Sequence, residues 1–133
     1  MVNKYGTYIF DLDGTICPIK KKEEKYEDLK PFPEIVDKMK KLKEQGFNIL
    51  IFTSRNMKTY DGNLGLINAN TAKIIINWLD KWQIPYDEII YGKPWPGENG
   101  FYIDDRAIRP RELLEKNVEE LNKICEKDRL KGD

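Results

Sequence analysis

Apolar residues along this chain fall into short runs that alternate with stretches repeating every three to four positions. Residues 7–11 (Thr-Tyr-Ile-Phe-Asp), 48–53 (Asn-Ile-Leu-Ile-Phe-Thr), 88–91 (Glu-Ile-Ile-Tyr) and 100–103 (Gly-Phe-Tyr-Ile) have the length and character of buried strands. Pro33 opens a segment in which Ile35, Val36, Met39 and Leu42 share one helical face, and Gly46 stands where a helix ends. A second helix is expected over residues 70–82, with Ile75, Leu79 and Trp82 as its main stripe and Ile74, Ile76 and Trp78 widening it. Pro110 opens a last helix whose Leu114, Val118, Leu121 and Cys125 share a face. Residues 14–30 read as a loop carrying a solvated charge cluster at 20–25, and residues 56–70 read as a second loop. This alternation predicts an α/β fold, one Rossmann-like core spanning 1–133 as a single domain, with a parallel sheet flanked by helices.

In such a sheet, ligands bind beyond the carboxyl ends of the strands. The residues there are Asp11 and Asp13 after the first run, Thr53 at the end of the second, Lys93 after the third, and Asp104 and Asp105 after the fourth. In Asp-Leu-Asp-Gly-Thr, residues 11–15, alternation along an extended chain aims both carboxylates the same way, and Gly14 permits a sharp turn after them. One carboxylate at such a site can attack phosphorus to form an acyl phosphate. The other can protonate the leaving oxygen and then activate the hydrolytic water. Two anions facing a phosphate need a hard cation, which points to magnesium held by the Asp11 and Asp104 side chains and the Asp13 carbonyl, with Asp105 outside the direct ligands. Lys93 and the Thr53 hydroxyl suit the phosphoryl oxygens.

Composition narrows the chemistry further. The chain has 133 residues, no histidine and a formal net charge of zero. Ser-His-Asp and Cys-His sites and histidine-ligated zinc are thereby excluded, and a broad basic surface for nucleic acid is not expected. The two cysteines, Cys17 and Cys125, have Glu23 and Lys131 six positions on, where a cysteine-nucleophile phosphatase needs arginine. No apolar run approaches membrane-spanning length, and residues 1–10 lack the pattern of a signal peptide, so the expected location is the cytoplasm, with no membrane partner.

These residues, in this order, resemble the motifs of the haloacid dehalogenase superfamily of phosphatases. Residues 11–15 resemble its first motif, Thr53 in Ile-Phe-Thr-Ser-Arg its second, Lys93 in Tyr-Gly-Lys-Pro its third, and Ile-Asp-Asp at 103–105 its fourth. The resemblance implies Asp11 as nucleophile, Asp13 as acid-base, Thr53 and Lys93 as phosphate binders and Asp104 as a magnesium ligand. The segments 53–68, 86–97 and 100–110 further resemble small capsule-biosynthesis phosphatases of bacteria. That resemblance implies a small phosphorylated metabolite, a sugar or amino-alcohol phosphate of capsular polysaccharide synthesis, as substrate. Neither gap between motifs has room for a substantial cap domain. Ser54, Arg55 and Asn56 join Thr53 and Lys93 as substrate-binding candidates; Arg55, Asn56 and Tyr60 either reach the leaving group or shape their loop. Arg106 and Arg109 read as structural ion-pair partners, and Trp95 either lines the site or packs against the loop.

Two other classes fit some of these features. A two-component receiver domain also uses acidic residues, threonine, lysine and magnesium, but places its phospho-acceptor after a later strand. A non-catalytic scaffold would have no need of Asp13. The wide stripe on residues 74–82 predicts either a homo-oligomer or a covering by the 56–70 loop or the last helix.

Overall fold

The computed structural model describes residues 6–132; residues 1–5, part of the segment tested above for a signal peptide, lie outside them. The chain divides into two compact units, one ending at Trp95 and the other beginning at Pro96.

The first unit is built on a three-stranded parallel sheet in the order β1 (Thr7–Phe10), β2 (Asn48–Thr53), β3 (Glu88–Tyr91). Its register pairs Phe10 with Ile51 and Thr53 with Tyr91, so the strand ends that carry polar chemistry come level at one edge. Helix α1 (Pro33–Glu44) forms where expected and buries Ile35, Val36, Met39 and Leu42. Each such side chain contributes about 1.5–3 kcal/mol by leaving water. Proline occupies the first turn, where its missing N–H costs nothing. At the other end, Gly46 N donates to Lys43 O and Phe47 N to Leu42 O, both at 3.0 Å, the paired bonds that satisfy the last carbonyls and turn the chain into β2.

The 56–70 stretch is less of a loop than its Asn, Gly and Tyr content suggests. Helical backbone begins with α2 (Leu64–Leu66), capped by the Asn63 side chain, which accepts from Leu66 N at 3.1 Å. It continues through a π-helical turn, Ile67–Thr71, into α3 (Ala72–Lys81). Propensity alone misses this because Ile67 and Thr71 are held by burial, a tertiary effect. Of the wide stripe, Ile75, Trp78 and Leu79 are buried while Ile76 stays 38% exposed. Trp78 is covered by the segment preceding α1: its indole N–H donates to Leu29 O at 2.7 Å.

The second unit has α4 (Pro110–Glu115) and α5 (Val118–Asp128) in place of one continuous helix. Asn117 breaks them. Its side chain accepts from Glu120 N at 2.9 Å and its own N–H donates to Glu120 Oε1 at 3.1 Å, a capping box that starts α5 afresh. The break changes the apolar face: Leu113, Leu121 and Cys125 are buried, whereas Leu114 and Val118 are exposed. The expected fourth strand at 100–103 is absent among the described residues. Within its own unit that run has no neighbour to form a ladder with, and a strand has little stability without one. Among the described residues no helix is long and apolar enough to cross a membrane. The first unit is a small α/β core of three parallel strands with helices and without a large cap, consistent with the haloacid dehalogenase resemblance.

At the amino edge of the sheet, Asp87 joins three elements. Lys43 of α1 donates to its carboxylate at 2.7 and 2.8 Å, and Ile49 N of β2 donates at 2.8 Å. Partial burial raises its pKa, but the Lys43 and Ile49 hydrogen bonds outweigh that and hold it below the usual carboxylate range. A lowered carboxylate pKa contributes stability that is present above the unfolded value of about 3.9 and is lost as pH falls through the folded value. Asp87→Asn should therefore lower the melting temperature at neutral pH, and the deficit should shrink as pH drops toward about 3. Thermal melts across that range check this; a deficit unchanged in acid would contradict the ion-pair role.

Candidate active site

Asp11, Asp13, Thr53, Arg55 and Lys93 all belong to the first unit. Beyond β1 the backbone tightens at once. Leu12 O accepts from Thr15, Ile16 and Cys17 N at 3.2, 2.9 and 3.2 Å, and Gly14 N donates to Cys17 O at 2.7 Å. Gly14 has φ 87°, a conformation that side-chain-bearing residues rarely adopt. Leu12 is fully buried. Because neighbours on an extended chain alternate, burying Leu12 turns Asp11 and Asp13 together toward the other side.

The two carboxylates have different partners. Asp11 Oδ1 lies 3.6 Å from Lys93 Nζ, and Asp11 Oδ2 accepts a long 3.4 Å hydrogen bond from the Thr15 hydroxyl. Burial pushes the Asp11 carboxyl up from its ordinary value. Lys93, a backbone hydrogen bond and Thr15 oppose the rise, and the neighbouring Asp13 charge adds to it. Asp13 is gripped from two directions by one guanidinium: Arg55 Nε donates to Oδ2 at 3.1 Å and Arg55 Nη2 to Oδ1 at 2.8 Å. The Arg55 side chain is only 2% exposed, and its Cζ sits 4.1 Å from the centre of the Tyr26 ring.

Thr53 ties both cations to the sheet. Its carbonyl accepts from Lys93 N at 3.1 Å, and its buried hydroxyl oxygen accepts from Arg55 N at 3.1 Å, which leaves the hydroxyl proton to donate elsewhere. Gly92, beside Lys93, has φ 82°, and a Cβ there would meet Leu64 Cδ2 at 2.5 Å, so the turn that delivers the lysine depends on glycine.

The remaining candidates divide by location. Ser54 is half-buried and its carbonyl accepts from Met57 N at 3.0 Å. Asn56 adopts φ 64°; its amide oxygen accepts from the Thr71 hydroxyl at 2.7 Å and its amide nitrogen donates to Thr59, so it ties the loop to the π-helical turn. Tyr60 is half-buried, with its N–H donating to Asn56 O at 3.0 Å. Trp95 carries the Lys58 ammonium 5.3 Å over its ring. Asp104 and Asp105 belong to the second unit. There Asp104 Oδ1 accepts from Arg106 N at 2.8 Å, and Asp105 Oδ2 accepts from Arg129 Nε at 2.6 Å. The Arg129 hydrogen bond lowers the Asp105 carboxyl pKa. Arg106 donates to Asn122 Oδ1, and Arg109 N donates to Glu112 Oε1.

Three residues that the motifs did not single out shape the site: Thr15 against Asp11, Tyr26 over Arg55, and Cys17. The one proton of the buried Cys17 thiol has two weak acceptors in reach, Asp13 Oδ1 at 3.5 Å and Leu12 O at 3.8 Å. Burial first, then the adjacent Asp13 charge, pushes its pKa up to about 12, so it stays a thiol. A sequence signal for Tyr26 exists in retrospect: it is the one aromatic residue in the charged run from Lys20 to Lys30.

Within the first unit the donors suit a hard divalent cation. The half-buried Asp11 carboxylate faces Lys93 Nζ at 3.6 Å, and a cation beside it would oppose the rise that partial burial gives its pKa. The Asp13 side chain is engaged by Arg55, which leaves its main-chain carbonyl as the group to offer a metal.

Comparison with known proteins adds family and fold. A crystal structure of a target protein from Vibrio cholerae is 46% identical to this chain, covering 93% of it and 99% of that chain, with a TM-score of 0.87. Chains in two structures of the Pnkp1/Rnl/Hen1 complex, one described as an RNA repair complex, are 18% and 20% identical, each with a TM-score of 0.50. They cover 68% and 84% of this chain but only 27% and 34% of those chains, and share the fold. No curated protein matches the sequence. The family model described as polynucleotide kinase 3 phosphatase matches residues 7–91, which hold the sheet, both carboxylates, Thr53 and Arg55. With more than half of its length under that match, this chain belongs to the polynucleotide kinase 3 phosphatase family.

Proposed function

We propose that the protein hydrolyses a small phosphate monoester through a phospho-aspartate on Asp11, with residues 1–133 acting as one hydrolase domain in the cytoplasm. The observation that carries this reading is the division of labour at the sheet edge. Asp11 faces a lysine point charge 3.6 Å away, suited to an incoming phosphate, and Asp13 is held by an arginine fork.

In the proposed reaction an Asp11 carboxylate oxygen attacks phosphorus and the bond from phosphorus to the leaving oxygen breaks. Asp13 gives its proton to that oxygen. Water then attacks the phosphorus of the acyl phosphate, passing a proton back to Asp13 and releasing inorganic phosphate with Asp11 restored. Lys93 Nζ and the Thr53 hydroxyl hold phosphoryl oxygens and draw off the charge that builds there. Ser54 and Asn56 form the start of the adjoining loop, a place from which the leaving group can be contacted. The Asp11 carboxylate and the Asp13 carbonyl would hold a magnesium ion, which would supply the positive charge that lets a phosphate dianion approach two carboxylates. Asp104 as a third ligand rests on the sequence motif alone.

A sugar or amino-alcohol phosphate of capsular polysaccharide synthesis is the proposed substrate class, supported by the sequence resemblance and by a formal net charge of zero. The family description favours a second reading, a phosphate at the 3′ end of a polynucleotide. A turnover panel separates them: sugar phosphates, amino-alcohol phosphates, an aryl phosphate and a 3′-phosphorylated oligonucleotide, each with magnesium and with excess chelator. The expected result is turnover of the small esters that disappears in chelator. Preference for the oligonucleotide would replace the first reading by the second, and full activity in chelator would remove the metal. On whichever substrate is used, Asp11→Asn should lose at least about a thousandfold in kcat while staying folded, because an amide is a poor nucleophile. A variant that keeps a tenth of the rate would refute the role of Asp11.

A further inference from the structure

The acid-base assignment of Asp13 leaves open how a short carboxylate is held steady while it gives and takes a proton. The structure offers a chain of contacts for that purpose. Asp13 rests in the bidentate grip of Arg55, and a planar fork fixes the plane of a carboxylate in a way that a lysine cannot. Arg55 is positioned in turn by its own N–H on the Thr53 hydroxyl and by the ring of Tyr26. Tyr26 sits in a short 3-10 turn, Tyr26–Asp28, within the charged segment that leaves the site after Cys17. Two bonds fasten that segment: Phe32 N donates to Ile16 O at 2.8 Å, and Trp78 donates to Leu29 O at 2.7 Å.

Occupancy of the carboxylate oxygens singles out one atom. Each oxygen has two lone pairs. Oδ1 accepts from Arg55 Nη2 and competes with Leu12 O for the one proton of the Cys17 thiol, 3.5 Å away, while among the described residues Oδ2 accepts from Arg55 Nε alone. Oδ2 is thus the less crowded oxygen, with a lone pair left for a travelling proton. The buried Arg55 Nη1, without a partner among the described residues, also fits a guanidinium whose placement is set by Asp13 and Tyr26 and not by full satisfaction of its own donors.

We infer that Arg55 and Tyr26 are positioning residues for Asp13: Tyr26 locks the Arg55 guanidinium, which orients the Asp13 carboxylate so that Oδ2 faces the leaving oxygen of the substrate. This rests on the phosphatase reading given above. Arg55 then acts through Asp13 and does not touch the substrate.

The test compares kcat/KM, which reports the steps up to departure of the leaving group, on an alkyl phosphate and on an aryl phosphate. The alkyl leaving group needs a proton and the aryl one does not. Arg55→Lys and Tyr26→Ala should each lose at least about tenfold more on the alkyl ester than on the aryl ester, and Tyr26→Phe should behave as wild type. In an Asp13→Asn background, Arg55→Lys should have little further effect, since both act on one step. Equal losses on the two esters would overturn the inference, as would full losses on top of Asp13→Asn. If Arg55→Lys does not fold, Tyr26→Ala against Tyr26→Phe decides, because removing a half-buried ring strands no charge. Wild-type protein that turns over neither ester would remove the phosphatase reading and this inference together; wild-type turnover with equal losses removes the inference alone.

Discussion

Two carboxylates two residues apart at one strand end repel each other, and the protein holds them there by giving each its own cation. Lys93 serves Asp11 at 3.6 Å as a point charge. Arg55 serves Asp13 through two short hydrogen bonds from a buried planar fork. The asymmetry matches the two tasks proposed for these carboxylates. A nucleophile must be approached by a phosphate, so a compact ammonium that can also pair with phosphoryl oxygens is suitable, whereas an acid-base group must keep its direction, which a fork enforces. Both cations hang on Thr53, one from its carbonyl and one from its hydroxyl.

The rest of the first unit follows from keeping Thr53 level with Asp11. Parallel pairing of β1 with β2 and of β2 with β3 brings the three strand ends to a common edge. The hydrogen-bonded end of α1 delivers the chain into β2, and Asp87 clamps the opposite edge by joining α1, β2 and the start of β3. The charge cluster at 21–25 is exposed, as its composition suggests, and just after it Trp78 pins Leu29 and Tyr26 lies over Arg55. The Ile75, Trp78 and Leu79 part of the wide apolar stripe is accordingly buried, with Trp78 bonded to the segment before α1.

Hydrophobic periodicity made the sheet, α1 and the placement of Asp11, Asp13, Thr53 and Lys93 at strand ends legible, because those features depend on local spacing. The pairing of Arg55 with Asp13 spans 42 positions and left no local trace, so the sequence suggested only a substrate contact or a loop role for that arginine. The helical start at Leu64 and the π-helical turn after it depend on burial of Ile67 and Thr71, which composition does not reveal. The break between α4 and α5 was readable in principle: Asn117 and Glu120 have capping-box spacing, and apolar periodicity masked it. The 100–103 run shows the opposite limit. Strand-like composition does not make a strand without a neighbour inside its own unit.

The chemistry proposed for this edge stands or falls on a covalent bond between phosphorus and Asp11. Borohydride reduces an acyl phosphate, so protein quenched during turnover, treated with borohydride and digested should yield a peptide in which residue 11 is converted to homoserine, and only when substrate is present. Release of inorganic phosphate with residue 11 unmodified, or with the mark on another carboxylate, would contradict the assignment of Asp11 as the nucleophile.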